Sequence, residues 1–262
     1  MSKTYTKEEL ISALYGILRK GYIRSRARVG NDGAVGNTLE DLLEIKENNI
    51  QLPDTGVWEL KSQRKSTSSL ITLKHMNPSP RAVNSSVILP IYGWRHDEAG
   101  SKYPEDERSF RSTTSAVSYT DRGFSIIVDR NERKFKFTFN ADKVDRTVHD
   151  EWFKRICETV GIGDIEPQPF WEFERLDKAI SKKIKNTIYI VADDKIENDY
   201  EYFHFFKASM LAGYTFEKFV DCVETGKILF DFDARTGHDH GTKIRIKQNN
   251  WPSLYSEVTT LF

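Results

Sequence analysis

The segment Pro53-Asp54-Thr55-Gly56-Val57-Trp58-Glu59-Leu60-Lys61 joins a turn to a short strand. Pro53, Thr55 and Gly56 are turn formers, and Val57 to Lys61 has the make-up of a half-buried strand. Successive strand side chains point to opposite faces, so Trp58 and Leu60 share one face while Val57, Glu59 and Lys61 share the other. Trp58 and Leu60 can then enter a core while a carboxylate and an ammonium leave it together. Asp54, just before the strand, can swing a second carboxylate to the same side. Two carboxylates and a lysine at a sheet edge suit a divalent metal held through oxygen, with a cation beside it. Asp followed by Glu-x-Lys also arises by chance, so its meaning rests on the surrounding sequence.

The chain has 262 residues, enough for one large domain or two small ones with a substantial core. With 38% hydrophobic and 30% charged residues it falls in the globular class. No apolar run reaches membrane-spanning length, and the N-terminal MSKTYTKEEL lacks the apolar centre of a signal peptide. Cys157 and Cys222 are the two cysteines, both in helical-looking patterns. They read as core thiols rather than a disulfide framework, and a reducing cytoplasm is the expected compartment.

Basic and acidic residues balance at 39 each, which argues against a non-specific nucleic-acid binder. Their distribution argues the other way. No acid lies between Glu59 and Asp97, a tract holding Lys61, Arg64, Lys65, Lys74, Arg81 and Arg95. Residues 17–30 carry Arg19, Lys20, Arg24, Arg26 and Arg28, again without an acid. These tracts can hold phosphates on either side of the carboxylate motif, or can be solvated surface.

Thr6-Lys7-Glu8-Glu9 is a capping box opening a helix through Leu18. Asn37 is expected to cap a second helix carrying Leu39, Leu42, Leu43 and Ile45, with Glu40 off its apolar stripe. A strand from Ser69 to Lys74 ends on His75, and 93–111 reads as a long polar surface loop. A hairpin spans 124–129 and 133–140, and a helix over 149–160 turns Trp152, Phe153, Ile156 and Val160 inward. After Pro167 and Pro169 come a strand at Thr187–Ala192 and helices near 200–212 and 216–225. Ile228–Arg235 is a strand with Asp231, Asp233 and Arg235 on one face and Phe230 and Phe232 on the other. A turn through Gly237-His238-Asp239-His240-Gly241 leads to a strand at Lys243–Lys247, and Trp251-Pro252 opens a last helix. No internal repeat is present. Interleaved strands and helices point to an α/β fold with a mixed sheet and helices on both sides.

Asn31-Asp32-Gly33-Ala34-Val35-Gly36-Asn37-Thr38-Leu39-Glu40, then Glu47-Asn48-Asn49-Ile50, then Asp54 to Lys61, resembles the catalytic half of the MvaI/BcnI family of type II restriction endonucleases. More distantly the pattern is similar to MutH-like mismatch-repair nickases, which share the Gly-x-x-Leu-Glu helix ahead of the carboxylate strand. The resemblance continues through Ser69 to His75 and returns at Gly237 to Gly241 and Arg245; residues of about 80–185 carry none. It implies a restriction-endonuclease-like PD-(D/E)xK fold, with a catalytic lobe mainly over 1–120. A recognition lobe would be largely C-terminal, including about 228–247, with double-stranded DNA in the cleft between them.

The resemblance also implies roles. Asp54 and Glu59 would hold Mg²⁺, Lys61 would orient or activate water and stabilise charge at phosphorus, and Glu40 would be an accessory acid. His75 and His238 match positions that read a central base pair; Arg64, Lys65 and Lys74, from the basic tract rather than the resemblance, are candidates for phosphate contacts. Asp231, Asp233, Arg235, His240 and Arg245 suit a G·C-rich site of the CC-x-GG kind, because arginine pairs with guanine and carboxylates accept from cytosine N4. As surface residues they could equally form a solvated salt-bridge edge. The expected enzyme is a monomer nicking the two strands in turn, with a protective methyltransferase as genetic partner. A MutH-like nickase and a catalytically silent DNA-binding module are the alternatives.

Overall fold

The computed structural model describes residues 5–262 other than 28, 32, 46–48, 53–55, 67–68, 182–183 and 185, with backbone alone at 49–52 and 56. In chain order the elements are α1 (Lys7–Leu18), β1 (Ile23–Arg24), α2 (Ala34–Leu43), β2 (Asn49–Leu52), β3 (Gly56–Arg64) and β4 (Leu70–His75). A π-helical segment (Asn84–Tyr92) precedes β5 (Trp94–Arg95), β6 (Arg108–Thr114), β7 (Arg122–Asp129), β8 (Lys134–Val144) and α3 (Arg146–Val160). Then come β9 (Phe170–Glu172), α4 (Phe173–Ile180), β10 (Asn186–Glu197), β11 (Tyr200–Tyr214), α5 (Phe216–Glu224), β12 (Ile228–Arg235) and β13 (His238–Lys247). A 3₁₀ segment (Gln248–Leu254) and β14 (Tyr255–Thr260) end the chain.

The chain divides into two compact units, each assembled from distant segments: 1–69 with 184–218 and 248–262, and 70–183 with 219–247. These do not coincide with a division near residue 120, since 70–120 belongs to the second unit.

The first unit is built on a mixed six-stranded sheet ordered β1-β11-β10-β3-β2, with β14 also paired to β11. Strand β3 runs parallel to β10 and antiparallel to β2. Trp58 and Leu60 of β3 are buried with Leu10, Leu14, Val35, Leu39, Leu43, Ile188, Ile190 and Phe203. The Thr6–Glu9 capping box is formed at α1, as the sequence pattern required. Asn37 is not a cap. Helix α2 begins at Ala34 with Gly33 at its N-cap, where the Asn31 side chain accepts from the Gly33 amide at 2.8 Å. Starting one turn earlier places Ala34 and Val35 in the core.

Residues 200–212 form a strand, not a helix, and the reason is local. Glu201, Phe203 and Phe205 are buried in alternation with less buried neighbours, a period of two in an aromatic-rich segment. Asn198 and Asp199 both have positive φ, the two-residue type I′ turn that folds β11 back on β10. The expected last helix is likewise absent, because Trp251–Leu254 lies in the 3₁₀ segment and β14 pairs with Ser209–Tyr214.

The second unit holds an antiparallel five-stranded sheet, β4-β13-β12-β6-β5, and an antiparallel three-stranded one, β7-β8-β9. Phenylalanines fill its core: Phe137 lies 4.4 Å from Phe232 and 5.2 Å from Phe124 between ring centroids, and Phe135 packs on Phe230 at 5.7 Å. The expected loop over 93–111 is ordered as β5, a turn region and the start of β6, with His96 and Glu107 buried. Val160 faces solvent in the last turn of α3, ahead of Gly161.

Candidate active site and nucleic-acid interface

Among the described residues β2 pairs with β3 from Gly56 to Glu59, and none pairs with that edge of β3 from Leu60 onward. The N-terminal end of α2 covers that stretch, enclosing a cavity of about 140 Å³ lined by Gly33, Val35, Gly36, Glu40, Leu60, Lys61 and Ser62. Burial of Trp58 and Leu60 forces Glu59 and Lys61 onto the other face, where Lys61 Nζ lies 2.5 Å from a Glu59 carboxylate oxygen. Both side chains are only partly exposed, so their attraction is less screened than at an open surface. Glu40 joins Lys61 at the cavity; burial, with the Asp41 charge adding, holds its carboxyl above the ordinary value.

Three residues behind this pair carry no functional role in the sequence reading. Thr187 sits beside Glu59 in the parallel register, and its hydroxyl shares a 2.9 Å hydrogen bond with the Tyr255 hydroxyl. Burial pushes that tyrosine up, opposed by the Thr187 hydrogen bond and assisted by the Glu59 charge. The Lys61 ammonium lies 5.8 Å from the centroid of the buried Trp251 ring, within cation–π range. Trp251-Pro252 was visible in the sequence, but its proximity to Lys61 depends on the 3₁₀ turn that replaces the expected helix.

Asp54 lies outside the described residues. Among the described residues no three His, Cys, Asp or Glu side chains converge as a metal cluster. The donor chemistry at β3 nonetheless fits a hard divalent cation, since Glu59 and Glu40 supply carboxylate oxygens in a part-enclosed site beside a fixed ammonium. Arg64 is engaged by protein groups. Its Nε and Nη2 both donate to Glu201 Oε1, at 3.1 and 2.7 Å, and Nη2 also donates to the Asn31 carbonyl. Lys65 is exposed, its ammonium 5.6 Å from the Phe206 ring centroid.

In the second unit the five-stranded sheet gathers most of the remaining candidates. Strand β12 alternates perfectly, burying Ile228, Phe230, Phe232 and Ala234 and leaving Asp231, Asp233 and Arg235 on the opposite face. Cross-strand register sets His75 beside Lys243, Lys243 beside Asp231, and Asp231 beside Thr113. Each acid holds a cation: Asp231 accepts from Arg245 at 2.8 Å and Asp233 from Lys243 at 2.8 Å, with Arg111 3.5 Å from Asp233. Burial works to raise the Asp233 carboxyl, but hydrogen bonding and charge from Lys243, with His240 and Arg111, hold it below its ordinary value. Lys74 pairs with Ile244 in the register, and His75 is exposed at the end of β4.

The β12–β13 hairpin turns through Thr236 and Gly237, whose φ of 69° suits glycine. His238 and His240, both exposed, place their ring centroids 4.2 Å apart. Asn77 buttresses the strand behind them: its side chain donates to Asp239 at 2.9 Å and accepts from the Thr242 amide at 2.8 Å.

The model of the MvaI/BcnI restriction endonuclease family matches residues 11–255. The chain belongs to that family. Among solved structures it is similar to restriction endonuclease MvaI in complex with cognate DNA substrate, at 23% identity and a TM-score of 0.63. It is also similar to MvaI in the absence of DNA, at 24% identity and a TM-score of 0.61; both matches cover the whole of either chain. No curated protein sequence matches.

Membership of the MvaI/BcnI family makes the protein a type II site-specific deoxyribonuclease. The expected restriction-endonuclease fold is thereby established, and the sheet that carries Glu59 and Lys61 is its mixed six-stranded one. No helix among the described residues is long and apolar enough to cross a membrane. Within this MvaI/BcnI chain the candidates separate cleanly: Glu40, Glu59 and Lys61 stand in the first unit, and His75, Asp231, Asp233, Arg235, His238, His240 and Arg245 in the second.

Proposed function

We propose that this endonuclease cleaves double-stranded DNA with Mg²⁺ at a short G·C-rich site of the CC-x-GG kind, as a monomer that nicks the two strands in turn. The observation that carries the chemistry is the Glu59–Lys61 pair, 2.5 Å apart on one face of a strand whose other face is buried. Hydrolysis of a phosphodiester requires an in-line water, compensation for charge gathering on the phosphoryl oxygens, and departure of the ester oxygen. Asp54 and Glu59 would hold Mg²⁺, which when bound supplies a Lewis acid for the phosphoryl oxygen. Lys61, fixed by Glu59 and by the Trp251 ring, presents its ammonium to the developing charge and orients the water. Glu40, which lines the same cavity as Lys61, would accept a hydrogen bond from that water.

Recognition belongs on this reading to the charged face of β12 and β13, where Arg235 and Arg245 would meet guanine and the histidines at 75 and 238 the central pair. A methyltransferase modifying the same site would protect the host. Supercoiled plasmid of known sequence, incubated with and without Mg²⁺, tests the whole reading. Discrete fragments ending at a CC-x-GG site are expected only with the metal, and Lys61→Ala should slow cutting by at least about 100-fold. A single persistent nick would favour a mismatch-repair-type nickase, and binding without cutting would favour a silent DNA-binding module.

A further inference from the structure

We infer that Glu107 is a positioning residue for base recognition, fixing the guanidinium of Arg235; this rests on the reading of Arg235 as a base-contacting residue. Glu107 lies just ahead of β6, in the stretch that sequence patterning assigns to a surface loop. Its side chain is 5% exposed, a costly place for a carboxylate without a partner. The partner is Arg235, whose Nη1 lies 3.1 Å from Glu107 Oε1. Tyr103 backs the same guanidinium, with its ring centroid 4.7 Å from Arg235 Cζ.

The loop is itself tied to the strand it serves. The His96 amide donates to the Glu107 carbonyl at 2.9 Å, the Arg108 amide to the Thr236 hydroxyl at 3.0 Å, and the Thr236 amide to the Arg108 carbonyl at 3.0 Å. Ser109 pairs with Arg235 across β6 and β12. Glu107 is therefore held by backbone hydrogen bonds at a fixed offset from the arginine it grips.

The direction of the grip carries the argument. Among the described residues, Arg235 makes its protein hydrogen bonds through Nη1 alone, to Glu107 and more weakly to the Thr236 carbonyl at 3.5 Å. The Nε and Nη2 donors remain as a planar pair, the geometry that meets O6 and N7 of guanine. Arg235 also lines a cavity of about 630 Å³ with Arg108, Gly237, His238 and Asp239, so the guanidinium faces open space. An arginine already fixed at one corner loses less rotamer freedom on binding, and its fork can tolerate less displacement of the base.

The test measures binding without Mg²⁺ to a duplex carrying the sequence cut by the wild-type enzyme, and to the same duplex with one G·C pair exchanged. The readout is the ratio of the two affinities for wild type, Arg235→Ala, Glu107→Gln and the double variant. Glu107→Gln keeps the shape and one acceptor oxygen, so it should fold; its ratio should fall roughly 10-fold, the value of a hydrogen bond to a charged group. The double variant should match Arg235→Ala, because Glu107 acts through that residue. If Arg235→Ala leaves the ratio unchanged, the base-contact reading fails and the inference falls with it. If Arg235→Ala lowers the ratio but Glu107→Gln does not, or if the two losses multiply, Glu107 is only a structural partner and the inference alone is overturned.

Discussion

At the scale of single residues, burial decides which charges are structural. Arg64 and Lys61 lie three positions apart on β3, but Arg64 is committed to Glu201, whose side chain is 4% exposed. Replacing Arg64 by Ala strands that carboxylate, and removing one partner of a buried pair costs about 3 kcal/mol or more. Urea unfolding should therefore show Arg64→Ala strongly destabilised, and an R64L/E201L double variant should recover most of the loss. A small effect for Arg64→Ala would return this side chain to the solvent-facing set. Asp233 gives the pH counterpart. Its carboxyl is burdened by burial yet drawn below its ordinary value by Lys243, with His240 and Arg111 adding. A folded-state value below the unfolded one stabilises the protein above the ordinary carboxylate range and is lost as pH falls through the folded value. Asp233→Asn should accordingly melt below the wild type at pH 7, by no more than about 1 kcal/mol for a part-exposed pair. The two melting temperatures should converge in acid; a gap that widens there would contradict the assignment.

At the scale of elements, the charged face of β12 depends on what lies beneath it. Strand β12 presents Asp231, Asp233 and Arg235 because Phe230 and Phe232 anchor its other face. Phe232 packs on Phe137, a fully buried ring that also stacks on Phe124. Phe137→Ala should cost about 3–5 kcal/mol through lost burial and the cavity left behind. A drop in melting temperature of roughly 10 °C is the expected calorimetric result. A loss under about 1 kcal/mol would mean that the site collapses to refill the space. Pattern reading succeeded on β12 because alternation of phenylalanine with charge has one interpretation. It failed on β11, where Tyr200 to Leu211 carries enough apolar residues to satisfy a helical stripe as well. The deciding signal is Asn198-Asp199, a turn pair with positive φ at both residues between β10 and β11.

At the scale of the whole molecule, the chain holds one Asp54…Glu59-x-Lys61 motif for two DNA strands. A monomer with one such motif must cut one strand, release or turn the duplex, and cut the other. Supercoiled plasmid should thus pass through a transient open-circular form, seen as its rise and fall on a gel time course. Linear product appearing with no such intermediate, together with a dimer on DNA in sedimentation, would overturn the monomer reading. The separation of the two candidate sets into different compact units gives a second expectation of this size. Lys61→Ala should abolish cutting with specific binding intact, whereas Arg235→Ala should reduce discrimination.

The sequence by itself determined the local matters. The capping box at Thr6, the alternation that turns Glu59 and Lys61 out of the core, and the two faces of β12 follow from residue type and spacing within a few positions. The motif order also carried the family. What only the tertiary structure decided is which distant segments meet: Trp251 against Lys61, Tyr255 against Thr187 beside Glu59, Glu201 on Arg64, Glu107 on Arg235. Those partners lie 68 to 190 positions apart in the chain, and no periodicity links them. A charged side chain looks alike in a sequence whether water or a buried counter-ion surrounds it. The difference is a desolvation energy, and desolvation is fixed only when the chain has closed around the group.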